Sequence, residues 1–180
     1  MKMLKDNYGF TLIEVLVYVG ILTVAVAVMS SFVLAIIRLN SYTATTADVL
    51  RSAERAVEII DQEIRLAESV YTETSVFGAS PGQLSVVTRV GAPPGETETY
   101  VDFYIDDGRL YVKREGQTPE LIIAQDIRIT NFTLTRFTKA GAPSSQAIRI
   151  DLTARRDTLA TASSYTGEVH LFKTSSLRSY

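Results

Sequence analysis

Three residues near the start of this chain could take part in chemistry: Gly9, Phe10 and Glu14. Glu14 is an ionisable side chain directly ahead of a long apolar run. A charge held in hydrocarbon costs on the order of a few kcal/mol, so Glu14 is a functional candidate and needs a positive partner. A new amine at Phe10 would be such a partner. It could belong to a neighbouring chain packed with a small axial stagger, or to the same chain about one helical turn away.

The position of Gly9 indicates how that amine could arise. An ordinary secretory signal carries its small-residue cleavage site after the apolar run, so cleavage removes the run. Here the glycine comes before the run, in the sequence Tyr8-Gly9-Phe10-Thr11. A cut after Gly9 would therefore remove a leader of residues 1–9 and leave the hydrophobic helix on the mature protein.

The apolar run is long enough to cross a membrane. No charged residue occurs from Val15 to Ile37, and a helix of this length spans roughly 30 Å of hydrocarbon. Lys2 and Lys5 precede the run and only Arg38 follows it closely, so the positive-inside bias favours a cytoplasmic N-terminus. We expect a single-pass protein of the inner (cytoplasmic) membrane, with a transmembrane helix at residues 10–39 and an extracytoplasmic head.

Beyond residue 40 the sequence becomes polar but keeps a helical period, which predicts an amphipathic continuation over residues 40–74. The apolar residues recur at three- and four-residue steps: Val49, Ala53, Ala56, Ile60, Ile64 and Ala67. Charged residues lie between them, and we interpret these as a solvated face without a site: Arg51, Glu54, Arg55, Glu58, Asp61, Glu63, Arg65 and Glu68.

Residues 75–180 carry short β-branched and aromatic runs that predict a β-rich head. Strands are expected at 83–90, 98–105, 109–113, 120–124, 127–137, 147–154 and 168–173. Asp107-Gly108 predicts a tight hairpin turn, because glycine tolerates the positive φ of a type I′ turn. The expected fold class is α+β: a long N-terminal helix, first membrane-spanning and then amphipathic, packed on an antiparallel β-sheet head.

The remaining residues argue against catalysis and against a cofactor. The chain has no cysteine, which excludes thiol chemistry. Its formal net charge of −2 gives it no excess of positive charge with which to bind the phosphate backbone of a nucleic acid. Its only histidine, His170, is interpreted as structural or surface, and Asp106-Asp107 as a turn and not a calcium loop. Tyr100, Tyr104 and Tyr111 fit the faces of a sheet better than a ligand stack. We therefore predict no enzyme activity, no metal, no cofactor and no small-molecule ligand.

The segment Gly9-Phe-Thr-Leu-Ile-Glu14, followed by an apolar helix, resembles the N-terminus of type IV pilins, type II secretion pseudopilins and competence pilins over Gly9 to about Leu39. That resemblance implies that a prepilin peptidase cuts after Gly9 and methylates Phe10, and that Glu14 is the assembly glutamate. Many pilins carry a mid-helix proline; this chain has Gly20 and Ser30-Ser31 instead.

The head resembles J-type minor pseudopilins and W-type minor pilins more loosely. The implied function is a structural subunit, a minor pilin or pseudopilin, of a surface or periplasmic fibre. Its implied partners are the membrane, a prepilin peptidase and other pilin or pseudopilin subunits. The alternative is a pilus-borne adhesin or a DNA-uptake (competence) subunit, which exposed aromatic side chains or a basic patch on the head would favour.

Overall fold

A computed structural model describes residues 11–139, 142–157 and 167–177, which form one helix and eight strands. The elements are α1 (Leu12–Leu66), β1 (Ser69–Val70), β2 (Leu84–Thr88), β3 (Thr99–Asp106), β4 (Arg109–Arg114), β5 (Glu120–Leu121), β6 (Ile127–Lys139), β7 (Ala142–Arg156) and β8 (Glu168–Ser176). The chain divides into two compact units, Met1–Ser41 and Tyr42–Tyr180. The predicted α+β class is confirmed, with one long helix and antiparallel sheets.

The part of α1 that belongs to the second unit buries the apolar face that its period predicts. Val49, Ala53, Ala56, Ile60 and Ile64 are all fully buried in one core with residues from both sheets. Burying a side chain of isoleucine size contributes about 1.5–3 kcal/mol relative to leaving it in water. The packing of this face on the sheets, and not helix propensity, therefore holds the second half of α1 in place.

The helix ends at Leu66, earlier than the expected continuation to residue 74. No glycine or proline marks this end in the sequence. Instead, the backbone amides of Glu68 and Tyr71 donate to the carbonyls of Val87 and Ser85, at 2.8 and 2.9 Å. Pairing with the sheet thus replaces the helical hydrogen bonds and forms β1, a strand that the sequence did not predict.

The strands form two sheets and not the single sheet that we expected. One has five strands in the order β1-β2-β3-β4-β5, and the other has three in the order β6-β7-β8; every pairing is antiparallel. The predicted strand at 120–124 shortens to Glu120–Leu121. The Ile122 amide still donates to the Leu110 carbonyl of β4 at 3.0 Å, but the Ala124 amide donates to the Ser52 hydroxyl of α1 and so leaves the sheet.

The turn between β3 and β4 has the predicted geometry. Asp107 has a φ of 44° and Gly108 a φ of 70°, and Asp106 pairs with Arg109 across the two-residue loop. The turn is also fastened to β6, because Arg128 donates to the Asp107 carbonyl at 3.0 Å and the Ile129 amide donates to the Gly108 carbonyl at 2.7 Å. The hairpin thereby links the two sheets.

Polar contacts join α1 to both sheets. On one side, Arg114 of β4 reaches Glu63 at 2.6 Å. On the other side, Lys173 of β8 reaches Glu58 at 2.8 Å. Near the start of β8, Gly167 lies so close to the helix that a Cβ added there would be 2.9 Å from the Cα of Thr46. These contacts fix the position of the helix across the head.

Candidate functional site

The first turn of α1 is built by Thr11 and Glu14. Thr11 precedes the helix, and the Glu14 amide donates to its side-chain oxygen at 3.3 Å, which is the N-cap arrangement. A threonine followed three residues later by glutamate has the spacing of a capping box, and a carboxylate in the first turn also interacts favourably with the helix dipole. This local role of Thr11 and Glu14 was not predicted from the sequence. The predicted processing residues Gly9 and Phe10 lie outside the described residues.

The helix that follows exposes a continuous apolar surface. From Leu12 to Leu39 every large hydrophobic side chain is between 50% and 83% exposed. The stretch lies in the one described helix that is long and apolar enough to cross a membrane. A surface of this size is not stable in water, so lipid or other apolar helices must cover it.

Two hydroxyl side chains of this apolar stretch bond to their own helix. Thr23 donates to the Val19 carbonyl at 2.7 Å, and Ser31 donates to the Val28 carbonyl at 2.8 Å. Hydroxyls satisfied in this way do not need water, so they are tolerated in hydrocarbon. The helix runs without a break through Gly20 and Ser30-Ser31.

A second group of chemically distinctive residues lies where α1 meets β8. Asp61 is only 4% exposed, and its carboxylate accepts hydrogen bonds from Lys173 at 2.9 Å, from Arg65 at 3.1 Å and from the Ser175 hydroxyl. The prediction that the charged residues of this helix form only a solvated face is therefore wrong for Asp61. It is also wrong for Glu63, whose side chain is 13% exposed and paired with Arg114.

The neighbours of Asp61 and Lys173 shift the pKa values of both side chains. Burial alone raises the pKa of Asp61, but hydrogen bonds from Ser175, Lys173 and Arg65, with the attraction of Lys173, outweigh burial and lower the pKa below its ordinary value of 3.8. Hydrogen bonds to Glu58 and Asp61 raise the pKa of Lys173 above 10.5. Asp61 and Lys173 are thus both ionised at neutral pH and form a structural clamp between helix and strand.

His170 has a partner that the sequence did not reveal. Its Nε2 lies 2.7 Å from the Asp151 carboxylate, which also accepts from the Asn131 amide at 3.1 Å. The side chain of His170 is 54% exposed, so this is a surface pair on the three-stranded sheet, in agreement with the surface interpretation. Among the described residues no group of three or more histidine, aspartate and glutamate side chains is placed to hold a metal ion.

Several aromatic side chains of the head are wholly or partly exposed. Tyr104 and Tyr111 stack across β3 and β4 at 5.9 Å, as expected for neighbours on one sheet face. On the outer face of the other sheet Phe137 and Phe172 are 49% and 69% exposed, with the Arg149 guanidinium 5.6 Å from the Phe172 ring centre. These two phenylalanines are the exposed aromatic residues that the sequence could not place.

Comparison with known proteins identifies the N-terminal segment. Residues 4–30 match the family model described as the prokaryotic N-terminal methylation motif. No curated protein and no solved structure matches the chain. The matched range contains Gly9, Phe10 and Glu14 and ends within the apolar helix, and the motif is that of the substrates of prepilin peptidase. The N-terminal segment of this chain is therefore similar to that of the type IV prepilins and pseudopilins, whose members are structural subunits and not enzymes.

Proposed function

We propose that this protein is a minor pilin or pseudopilin of a type IV pilus-like or type II secretion fibre. Prepilin peptidase cleaves it after Gly9 and methylates Phe10, and α1 then inserts among the helices of other subunits. The N-terminus lies in the cytoplasm and the head lies outside the inner membrane. The observation that carries the proposal is the methylation motif at residues 4–30, leading into an apolar helix with every large side chain exposed.

Glu14 aligns the incoming subunit in this proposal. The carboxylate lies at the start of the apolar helix and is itself exposed. In a layer of low dielectric constant, an amine on Phe10 of an adjacent subunit attracts this carboxylate far more strongly than it would in water. Glu14 therefore selects the axial position at which the two opposite charges meet, while the apolar side chains supply most of the packing.

Two substitutions separate processing from assembly. Gly9→Val places a branched side chain at the cleavage site, so we expect the chain to keep its leader. Glu14→Gln keeps the shape of the side chain and removes its charge, so we expect normal cleavage and membrane insertion but at least about tenfold less protein in sheared fibres. The measurements are the N-terminal mass and the fraction in the fibre pellet. Normal processing of Gly9→Val, or normal incorporation of Glu14→Gln, would contradict the assigned role.

A binding subunit, either an adhesin or a DNA-uptake pilin, is a second candidate. Phe137 and Phe172 on the outer face of the three-stranded sheet favour it, because exposed aromatic side chains beside an arginine are common at binding surfaces. Phe172→Ser is expected to leave fibre incorporation unchanged and to abolish surface adhesion or DNA uptake. Unchanged adhesion and uptake in fibres of this variant would exclude Phe172 from such a function.

A further inference from the structure

The outer face of the five-stranded sheet, which is the face turned away from the core, carries a cleft of about 450 Å³. Its floor is formed by side chains that alternate with core residues along the strands: Tyr100 and Asp102 of β3 and Lys113 of β4. Gln83, just before β2, and Glu115, just after β4, also line it. The volume falls within the range of about 300–1,000 Å³ that is typical of sites for small molecules.

The segment that follows β1 forms one wall of the cleft through Tyr71 and Thr74. The Thr74 hydroxyl donates to the Ser85 hydroxyl at 2.7 Å, and the Ser75 hydroxyl accepts from the Ser85 amide at 3.0 Å. Ser85 of β2 lies on the same side of the sheet as Asp102, with which it pairs, and it is completely buried under this segment. Hydrogen bonds therefore fix the wall, and the cleft is formed before any ligand binds.

Two tyrosine rings give the cleft an apolar surface. Tyr71 and Tyr100 meet edge to face, with ring centres 5.2 Å apart and an interplanar angle of 71°. The Tyr71 hydroxyl donates to Glu73 at 2.7 Å, whereas the Tyr100 hydroxyl bonds to no described residue, and Tyr100 is 36% exposed. A tyrosine in such a position offers a ligand a flat apolar ring together with a polar tip.

The polar side chains of the cleft have hydrogen-bonding capacity to spare. Within the part of the chain that the structure describes, the side chains of Gln83, Asp102 and Lys113 make no hydrogen bond or ion pair, although Asp102 and Lys113 lie opposite each other on β3 and β4. Glu115 accepts from the Tyr100 amide at 3.2 Å with one of its two oxygens. Lysine can only donate and a carboxylate can only accept, whereas an amide side chain and a tyrosine hydroxyl can do both.

This mixture of groups indicates an uncharged ligand that bears hydroxyls. A cation needs acceptors and an anion needs donors, but the cleft presents both. Asp102 and Glu115 beside the single Lys113 repel phosphate, which argues against a nucleic acid. An extended peptide adds to a sheet through the backbone of an edge strand, but β3 is paired on both sides, so only its side chains are accessible. A sugar ring has an apolar face of C–H groups and a rim of hydroxyls that each donate and accept, which matches the rings and the polar groups of the cleft.

We propose that this cleft binds a neutral saccharide. The C–H face of one sugar ring packs on Tyr100 and Tyr71, Asp102 accepts from one hydroxyl of that ring, and Lys113 donates to a neighbouring hydroxyl. The sequence predicted no small-molecule ligand, because the cleft exists only once the segment after β1 has folded over β2. The proposal does not depend on leader cleavage or on a fibre, and its site lies on the other sheet from the two exposed phenylalanines.

Binding can be measured on the purified full-length chain in a polyoxyethylene detergent, which carries no sugar group that would compete. The probes are four neutral tetrasaccharides, built from glucose, mannose, galactose and N-acetylglucosamine, titrated by calorimetry. Tetralysine and an eight-nucleotide single strand of DNA test a basic peptide and a nucleic acid as ligands. We expect at least one tetrasaccharide to bind with a Kd below about 1 mM, and tetralysine and DNA to bind at least about tenfold more weakly.

Three substitutions test the proposed contacts, and a fourth is the control. Tyr100→Ala removes the ring and should weaken binding of the best tetrasaccharide by at least about tenfold, whereas Tyr100→Phe keeps the ring and should weaken it by no more than about threefold. Asp102→Asn keeps the size of the side chain and removes the charged acceptor, with an expected loss of about threefold to tenfold. Tyr42→Ala removes a tyrosine of α1 that is 47% exposed and does not line the cleft, and it should leave binding unchanged. Circular dichroism verifies that each variant is folded.

Several results would overturn the inference. One is the absence of binding to all four tetrasaccharides, and another is tighter binding of tetralysine or DNA. Binding that is unchanged in both Tyr100→Ala and Asp102→Asn, or that falls equally in Tyr42→Ala, would lie outside the cleft and would also overturn it. None of these results affects leader cleavage or fibre incorporation, so the proposed function stands or fails separately.

Discussion

Replacing Asp61 by asparagine should destabilise the head by about 2–3 kcal/mol. The carboxylate is 4% exposed and holds Lys173, Arg65 and Ser175 at the junction of α1 and β8. Removing one partner from a buried ion pair costs about 3–5 kcal/mol when the other charge is left without solvent. Here the side chains of Lys173 and Arg65 are 33% and 60% exposed and regain water, so we expect the loss to be smaller.

The matched control is Glu58→Gln, because Glu58 binds the same lysine from the surface. Its side chain is 71% exposed, and an exposed ion pair contributes only about 0–1 kcal/mol. Both variants lose one carboxylate that contacts Lys173, but the Asp61 carboxylate is buried and also holds Arg65 and Ser175. The difference between them therefore measures the effect of burial together with these two additional partners.

The assay is urea denaturation of the purified full-length chain in detergent, followed by near-ultraviolet circular dichroism. The chain has nine tyrosines and no tryptophan, so this signal reports on the tyrosines, most of which lie in the head. We expect a clearly lower midpoint for Asp61→Asn and a midpoint near that of the unsubstituted chain for Glu58→Gln. Equal midpoints for all three proteins would refute the clamp, as would a larger loss for Glu58→Gln.

Two further predictions concern pH and the close contact at Gly167. The pKa of Asp61 is lower in the folded state than its ordinary value of 3.8, so the ionised carboxylate stabilises the fold fully above pH 3.8 and loses this effect as the pH falls through the lowered pKa. The difference in unfolding free energy between the unsubstituted chain and Asp61→Asn should therefore shrink in acid. A difference that stays constant with pH would contradict the lowered pKa. Gly167→Ala places a Cβ 2.9 Å from the Cα of Thr46 and should cost about 1–3 kcal/mol in urea denaturation, whereas a neutral result would show that strand and helix separate freely there.

Much of the fold could be predicted because its signals come from residues that are close together in the sequence. The steps of three and four residues from Val49 to Ile64 identified the buried face of α1, and Asp107-Gly108 identified the hairpin turn. Each signal depends only on residues that are near one another in the chain. The end of α1 at Leu66 could not be predicted in the same way, because the groups that replace its helical hydrogen bonds belong to Ser85 and Val87 of another element.

The inward position of Asp61 was missed for a related reason. In the sequence it is one of many charged residues between apolar ones, and nothing near it indicates burial. Its partners Lys173 and Ser175 lie more than a hundred residues away and reach it only because β8 lies beside α1. The pairing of His170 with Asp151 depends in the same way on the register of two strands. By contrast, the motif at Gly9 to Glu14 lies within one short segment, which is why it could be recognised.

The N-terminal mass of the protein co-expressed with a prepilin peptidase tests most directly whether this chain is processed as a prepilin. We expect a chain that has lost residues 1–9, starts at Phe10 and carries one added methyl group. An intact chain that starts at Met1 in the presence of an active peptidase would contradict it and would leave the apolar helix as an ordinary membrane anchor.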